Sequence, residues 1–347
     1  MFPSELIDLI LYFTVNPVRE LSLVNKYFYN NVAKMRIVTN RKYYLKDEHL
    51  PKLIYLHSLN LCCNRRITNG GISKLLNLTY LGLTNNTTIT DEGISNLYTL
   101  TILNLHDNNQ ITNKALVNLV NLTTLDLSCL NLPYYNQITN DGLSNLHNLT
   151  KLNMSNNATI SDKGILSLPS LLHLDISRQT VRITDDGISK LSNLVSLKLQ
   201  ENNTISNEGI SNLTNLLSLD LLGNKSITNE GISNLTNLTS LSLQNNPPVT
   251  NITHLTKLRA LNLNNNYYIA DISMLTNLND IRLLNNYNIT NNQISHLINL
   301  TSMDLSCNYQ ITDISNLTNL TEIDIYLSKI KMIPKTMKHT SFAFRDI

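Results

Sequence analysis

Cys62 and Cys63 are the two thiols nearest each other in the sequence, and adjacency is a poor spacing for chemistry. Two neighbouring side chains cannot close on one metal ion without two further ligands, and no second pair completes a site. Cys129 and Cys307 stand alone, no CxxC pair is present, and nothing resembles a disulfide framework, so the four Cys read as ordinary thiols in a reducing compartment. The eight His are scattered without an HExxH pair, and neither GxxxxGK[ST] nor GxGxxG occurs. These residues give no catalytic constellation, so the expectation is a chain that is not an enzyme and needs no cofactor and no metal. The basic stretch LSKIKMIPKTMKHT, from Leu327, admits a nucleic-acid contact or a solvated cap closing the chain. With a net charge of only +2 we adopt the cap, and expect no nucleic-acid and no membrane partner.

The side chain that recurs at a fixed place is an amide. L-x-L pairs fall at Leu59/Leu61, Leu81/Leu83, Leu103/Leu105, Leu125/Leu127, Leu152/Met154, Leu174/Ile176 and Leu197/Leu199, and continue at Leu219/Leu221, Leu241/Leu243, Leu261/Leu263, Ile281/Leu283, Met303/Leu305 and Ile323/Ile325. Alternation marks a short strand with one buried face. Three residues after the second apolar residue stands Asn64, Asn86, Asn108, Asn157, Asn202, Asn224, Asn246, Asn266, Asn286 or Asn308; Leu130, Gln179 and Ser328 interrupt the row. An amide both donates and accepts, so it can satisfy bend N–H and C=O groups that would otherwise be buried unpaired. Asn245, one residue earlier, should tolerate replacement far better than Asn224.

Most spacings are 22 residues, and such a unit cannot bury its apolar positions alone. A period of about 20–29 residues with this core marks a leucine-rich repeat. The expected fold is α/β: a solenoid with a curved parallel sheet on its concave side and short helical turns on its convex side. Earlier units carry ITxxGI, whose Gly is expected to permit a tight turn before the helical turn. They resemble the cysteine-containing class of these repeats with Asn in place of the cysteine. Later units, such as ITDISNLTNL, resemble the shorter repeats of internalins and of a phosphatase-regulating family. NLT sequons read as by-products of the repeated text.

Residues flanking the strand leucines point outward. Their central column yields the expected substrate-binding set Asp126, Asp175, Lys198, Asp220, Arg282, Asp304 and Asp324. It is polar and short of aromatic anchors. The Leu125-to-Leu152 spacing of 27 signals an insertion around CLNLPYYNQ, so Tyr134 and Tyr135 join the set. That loop either contacts a partner or packs on its neighbours.

The beginning has another period. Leu6, Leu9, Ile10 and Phe13 follow helical spacing after Pro3 and Ser4, and Leu21, Val24, Phe28 and Val32 form a second stripe. FPSELIDLILYF has no basic start, and Glu5 and Asp8 interrupt its apolar run, so it does not read as a signal peptide. With VRELSLVNKYFYNNV it resembles an F-box, with Phe2 for the family's Leu and Asn25 for its Cys. The resemblance implies an all-α module that docks a Skp1-like adaptor through Pro3, Leu6, Ile10, Leu21 and Val24. The chain would then be a noncatalytic substrate receptor of a Skp1/cullin-type ubiquitin ligase, holding an unknown target protein on its repeats, in the cytoplasm or nucleus. The alternatives are an N-terminal cap on the first repeat and a general protein-interaction scaffold. The expected boundaries are 1–40 for the F-box-like module, 41–58 for linker and cap, 59–328 for the solenoid and 329–347 for the C-terminal cap.

Overall fold

A computed structural model describes residues 36–38, 46–48, 50, 53, 56–130, 136–178 and 182–334. The expected Skp1-contact residues Pro3, Leu6, Ile10, Leu21 and Val24 therefore lie outside the described residues, as do Tyr134 and Tyr135. The chain divides into two units, residues 1–171 and 172–347.

In the first unit the strands are β1 (Arg36–Val38), β2 (Ser58–Asn60), β3 (Tyr80–Gly82), β4 (Ile102–Asn104), β5 (Thr124–Asp126) and β6 (Lys151–Asn153). They pair parallel in chain order, and Leu59, Leu81, Leu103, Leu125 and Leu152 share one register. β1 pairs with β2 and adds a strand ahead of the first L-x-L pair, inside the residues assigned to the helical module. Helical turns α1 (Asn69–Ile72), α2 (Asp91–Ile94), α3 (Asn113–Leu116), α4 (Asn140–Leu143) and α5 (Asp162–Ile165) follow the strands.

The second unit holds β7 (His173–Asp175), β8 (Ser196–Lys198), β9 (Ser218–Asp220), β10 (Ser240–Ser242), β11 (Ala260–Asn262), β12 (Asp280–Arg282), β13 (Ser302–Asp304) and β14 (Glu322–Asp324), again parallel in chain order. Its helical turns are α6 (Asp185–Ile188), α7 (Asn207–Ile210), α8 (Asn229–Ile232) and α9 (Asn291–Ile294). All the L-x-L pairs thus begin on strands, and their leucines are buried with the other apolar positions of each repeat, for example Ile227, Ile232, Leu235 and Leu238. Each unit is a leucine-rich-repeat solenoid with a parallel sheet and short helices.

The repeated amide closes the bend after each strand. The Asn86 Nδ2 donates to the carbonyls of Leu61 and Asn64 in the preceding repeat (3.0 and 2.9 Å), and its Oδ1 accepts the N–H of Thr88 and Ile89 (both 3.0 Å). Asn108, Asn246, Asn266, Asn286 and Asn308 repeat both donations on their predecessors. The long unit departs from this pattern. Leu130 stands exposed at the ladder position, with its N–H on the Asp107 carboxylate (2.7 Å). Buried Asn136 instead accepts the Ile138 N–H (2.9 Å) while its Nδ2 has no hydrogen-bond partner among the described residues, so only the accepting half of the ladder reappears beyond the insertion.

The residue before the ladder Asn is left-handed throughout, with φ of 56° at Cys63, 50° at Asp107, 54° at Glu201 and 50° at Asn245. Asn245 is therefore a strained position where Asn is favoured over Ala, and not a neutral one.

The Gly of ITxxGI does not make a turn of its own. It is the third residue of the helical turn, and a Cβ there would strike the first helical side chain of the preceding repeat. At Gly231 an added Cβ would lie 2.6 Å from the Asn207 Oδ1. That oxygen accepts the Thr228 N–H (2.9 Å) while the Asn207 Nδ2 donates to the Thr228 Oγ1 (2.9 Å), a second inter-repeat ladder that Gly makes room for. Among the described residues, two helical turns lack that Gly. In α3 Ala115 takes its place, and the Asp91 carboxylate still accepts the Thr112 N–H (2.7 Å), so a methyl group is accommodated in that repeat. The unit before α9 is short and has no helical turn to supply the amide. Gln293 stands at the Gly position there, and its own Oε1 accepts the Thr290 N–H (3.0 Å).

The NLT text has a similar cause. Asn121, Asn237 and Asn299 donate to the carbonyls of Tyr98, Thr214 and Thr276 one repeat back (2.8, 2.9 and 2.9 Å). The Thr123, Thr239 and Thr301 hydroxyls do likewise to Thr101, Leu217 and Asn279 (3.1 Å each).

Two stability predictions follow from these contacts. Asn224→Ala should lower the chemical-denaturation midpoint by an amount equivalent to about 1–3 kcal/mol, because the Ser226 and Ile227 N–H groups and two carbonyls lose their partner. The exposed control Asn234→Ala should change it by less than about 0.5 kcal/mol. Gly231→Ala should also destabilise the array, and adding Asn207→Ala should recover part of the loss, read as a non-additive double-mutant cycle.

Candidate functional site

The outward column that supplied the expected substrate set also terminates the strands. The Asp126 Oδ1 accepts the Ser128 N–H (3.0 Å), as the Asn104 Oδ1 does for His106 (2.9 Å) in the first unit. In the second unit Asp175, Asp220 and Asp304 accept the N–H two residues on, from Ser177, Leu222 and Ser306 (3.1, 3.1 and 2.9 Å). Asp324 does the same for Tyr326 (3.4 Å) and also takes the Ser306 hydroxyl (3.0 Å). These carboxylates are Asx-type turn acceptors, so the choice of Asp or Asn satisfies the backbone before it faces a ligand. Lys198 and Arg282 cannot play that part, and pair instead with the carboxylates of Asp175 (3.6 Å) and Asp280 (3.9 Å). Both cations are more than half exposed, so such pairs contribute little to stability.

A hydroxyl, an imidazole and two carboxylates do meet in the first unit. The Ser128 Oγ lies 2.7 Å from the His106 Nδ1, and the His106 Nε2 lies 3.5 Å from the Asp107 Oδ2. A nucleophilic Ser needs an accessible hydroxyl whose proton goes to the imidazole. Ser128 is only 5% exposed and donates to the Asp126 Oδ1 (2.5 Å). The group is a closed polar network beside the long unit. Sequence reading did not connect these residues, because they meet across consecutive repeats.

Free thiols occupy Cys62, Cys63, Cys129 and Cys307. The Cys62 and Cys63 sulfurs lie 3.6 Å apart, and burial followed by the neighbouring thiol pushes the Cys62 pKa up. Desolvation likewise raises that of Cys129. Among the described residues, no group of three or more His, Cys, Asp or Glu is placed to hold a metal ion. No described helix is long and apolar enough to cross a membrane.

The feature that sequence reading missed is a row of tyrosines in the second unit. Tyr267 and Tyr287 stack with centroids 5.8 Å apart and an interplanar angle of 14°. Tyr287 and Tyr309 stack at 6.2 Å and 8°, and the Lys329 Nζ sits 5.4 Å from the Tyr309 ring centroid. Each tyrosine directly follows a ladder Asn, namely Asn266, Asn286 or Asn308, so the amide ladder sets the ring spacing. The Asn285 Nδ2 donates to the Tyr267 hydroxyl (2.8 Å), and the Tyr287 hydroxyl donates to the Asn285 Oδ1. Desolvation, then the neighbouring phenols, push the Tyr287 pKa up. All three rings are about two-fifths exposed. The signal was legible as Tyr recurring one place after the ladder Asn.

The two kinds of column residue should separate by measurement. Asp220→Ala removes the acceptor of the Leu222 N–H and of the Gln200 amide, and should cost about 1 kcal/mol in denaturation. Arg282→Ala removes one exposed ion pair and should stay within about 0.5 kcal/mol of the parent.

The leucine-rich-repeat family matches residues 74–97, 145–168, 190–213 and 212–235. Among solved structures the chain is similar to the internalin inlF of Listeria monocytogenes, at 27% identity over 90% of this chain and 96% of that one, with a TM-score of 0.57. Internalin C2 of the same organism aligns at 27% identity over 51% of this chain and 80% of that one, with a TM-score of 0.41. The functional domain of InlJ from Listeria monocytogenes, which includes a cysteine ladder, aligns at 22% identity over 81% and 60%, with a TM-score of 0.48. No curated protein matches the sequence. The chain carries leucine-rich repeats and has internalin-like structural neighbours.

Proposed function

We propose that the chain is a protein-interaction scaffold that performs no chemistry of its own and holds a partner protein on its repeat surfaces. The observation that carries this reading is the row Tyr267, Tyr287 and Tyr309: large rings held in register and left part-exposed. Aromatic side chains that are already ordered lose little conformational freedom on binding, which is what an interaction hot spot requires. The likeness to an internalin over most of both chains supports a scaffold. Lys198, Arg282 and the carboxylates Asp126, Asp175, Asp220, Asp304 and Asp324 give the outward columns their charge pattern; Tyr134 and Tyr135, outside the described residues, are proposed from sequence alone as further partner contacts. Free thiols at all four cysteines suit a reducing compartment, so the cytoplasm or nucleus is the proposed setting.

The finer reading, a substrate receptor for a Skp1/cullin-type ubiquitin ligase, rests on the F-box-like sequence of residues 1–40. The scaffold reading does not depend on it. Capture of purified Skp1 by the intact chain, lost in Leu6→Asp with Leu21→Asp, would add the ligase role to the scaffold. Failure of the intact chain to bind Skp1 removes that role.

The scaffold reading is tested on the tyrosine row. Tyr267→Ser, Tyr287→Ser and Tyr309→Ser together should reduce the amount of specific partner captured by about tenfold or more, since losing one hot-spot ring alone is worth 2 kcal/mol or more. The melting temperature should stay within a few degrees, because the ladder beneath is untouched. Equal capture by the parent and the triple variant would remove the tyrosine row from the partner surface.

A further inference from the structure

We infer that Cys62 and Cys63 form a dithiol site, on the bend after β2, for an organic arsenical whose trivalent arsenic carries two hydroxyls. Their sulfurs lie 3.6 Å apart, Cys63 is exposed and Cys62 is partly so. The bend fixes the backbone that carries the pair. The Cys62 N–H donates to the Asn60 Oδ1 (3.0 Å), the Cys63 N–H to the Thr84 carbonyl in the next repeat (2.9 Å), and the Asn64 N–H back to the Leu61 carbonyl (3.0 Å). Three consecutive amides are thus committed, and Cys63 sits in the left-handed region with φ of 56°. The corresponding pair reads Thr84–Asn85, His106–Asp107 and Ser306–Cys307 in other repeats, so the fold itself does not call for two thiols there.

The ligand class follows from what this spacing excludes. Adjacent Cα atoms across a trans peptide are about 3.8 Å apart, short of the roughly 4.4–6.8 Å that an ordinary disulfide spans, so a disulfide here would strain the bend. Burial, then the neighbouring thiol, pushes the Cys62 pKa up and makes it a poor nucleophile toward an outside disulfide. The pair therefore persists as two thiols. Structural zinc takes four ligands, and among the described residues no third His, Cys, Asp or Glu joins the pair. Soft Cu(I) favours thiolates, but in linear two-coordination it holds its sulfurs on opposite sides of the ion, farther apart than a touching pair. Trivalent arsenic is also soft, sets its bonds at nearly right angles and brings its third substituent with it, so two touching thiols complete it. Each thiol gives its proton to one arsenic-bound oxygen. Two As–O bonds break, two As–S bonds form, two waters leave, and arsenic stays trivalent. This inference needs neither the scaffold nor the ligase reading.

Phenylarsine oxide, hydrated in water to the dihydroxide, is the probe and the full chain is the target. Intact mass should show a single arsenical on each chain, resistant to excess glutathione and stripped by dimercaptopropanol. Cys62→Ser and Cys63→Ser should each weaken binding by about a hundredfold or more, because the second bond is no longer intramolecular. Cys129→Ser with Cys307→Ser should leave it unchanged. Because the bend presets the two sulfurs, the arsenical should favour the folded chain and raise the denaturation midpoint of the parent, but not of the two single variants. An adduct that glutathione removes overturns the inference, as does a Cys62→Ser or Cys63→Ser chain that binds as tightly as the parent. Binding lost in Cys129→Ser with Cys307→Ser places the arsenical elsewhere and also overturns it. So does a parent midpoint that is unmoved or lowered, since the pair would then owe nothing to the fold. Ready formation of a Cys62–Cys63 disulfide with glutathione disulfide overturns it as well.

Discussion

A short strand followed by a sharp bend leaves backbone N–H and C=O groups facing the inside of the stack, where water does not reach. An interior polar group without a partner costs roughly 1–3 kcal/mol, and here the cost would recur in nearly every repeat. The ladder Asn removes it with one side chain, as at Asn86, which donates to two carbonyls of the preceding repeat and accepts two amides of its own. The remaining organisation depends on that closure. It fixes the left-handed residue before it, the position of the tyrosine after it, and the distance at which one repeat meets the next.

The same solution recurs elsewhere in the repeat with other side chains. The first residue of a helical turn bonds the Thr or Ser of the next repeat, and Gly makes room for it. NLT asparagines and threonines reach back to carbonyls one repeat earlier. Even the outward Asp and Asn of the strand face terminate their own strands. Most of the chain's abundant small polar side chains are therefore committed to backbone groups. Among the described residues, Lys198, Arg282 and the stacked tyrosines stand outside these rows.

The strand positions, the leucine core and the ladder Asn were legible because each obeys a strict period that burial enforces. The Gly of ITxxGI was visible but misattributed. Its cause is a side chain one repeat away, and a single repeat read alone suggests only a turn. Asn136 was passed over because the insertion moved it out of step with the ladder. The tyrosine row escaped for another reason. Tyr267, Tyr287 and Tyr309 lie off the strand face, outside the column where alternation directs attention, and their stacking depends on a spacing that only the assembled repeats set. The acidic column has a second role that alternation alone did not show, since Asp at a strand end also accepts an N–H two residues on.

Hydrogen exchange at the amides that the ladder satisfies tests the central claim most directly. The N–H groups of Ile89, Ile227 and Ile289 donate to the Asn86, Asn224 and Asn286 side chains. If those side chains close the interior, these amides exchange only when their repeats open, with an opening free energy matching that of the adjacent strand amides. Exchange at the rate of solvent-exposed turn amides, with the strands still protected, would contradict the account.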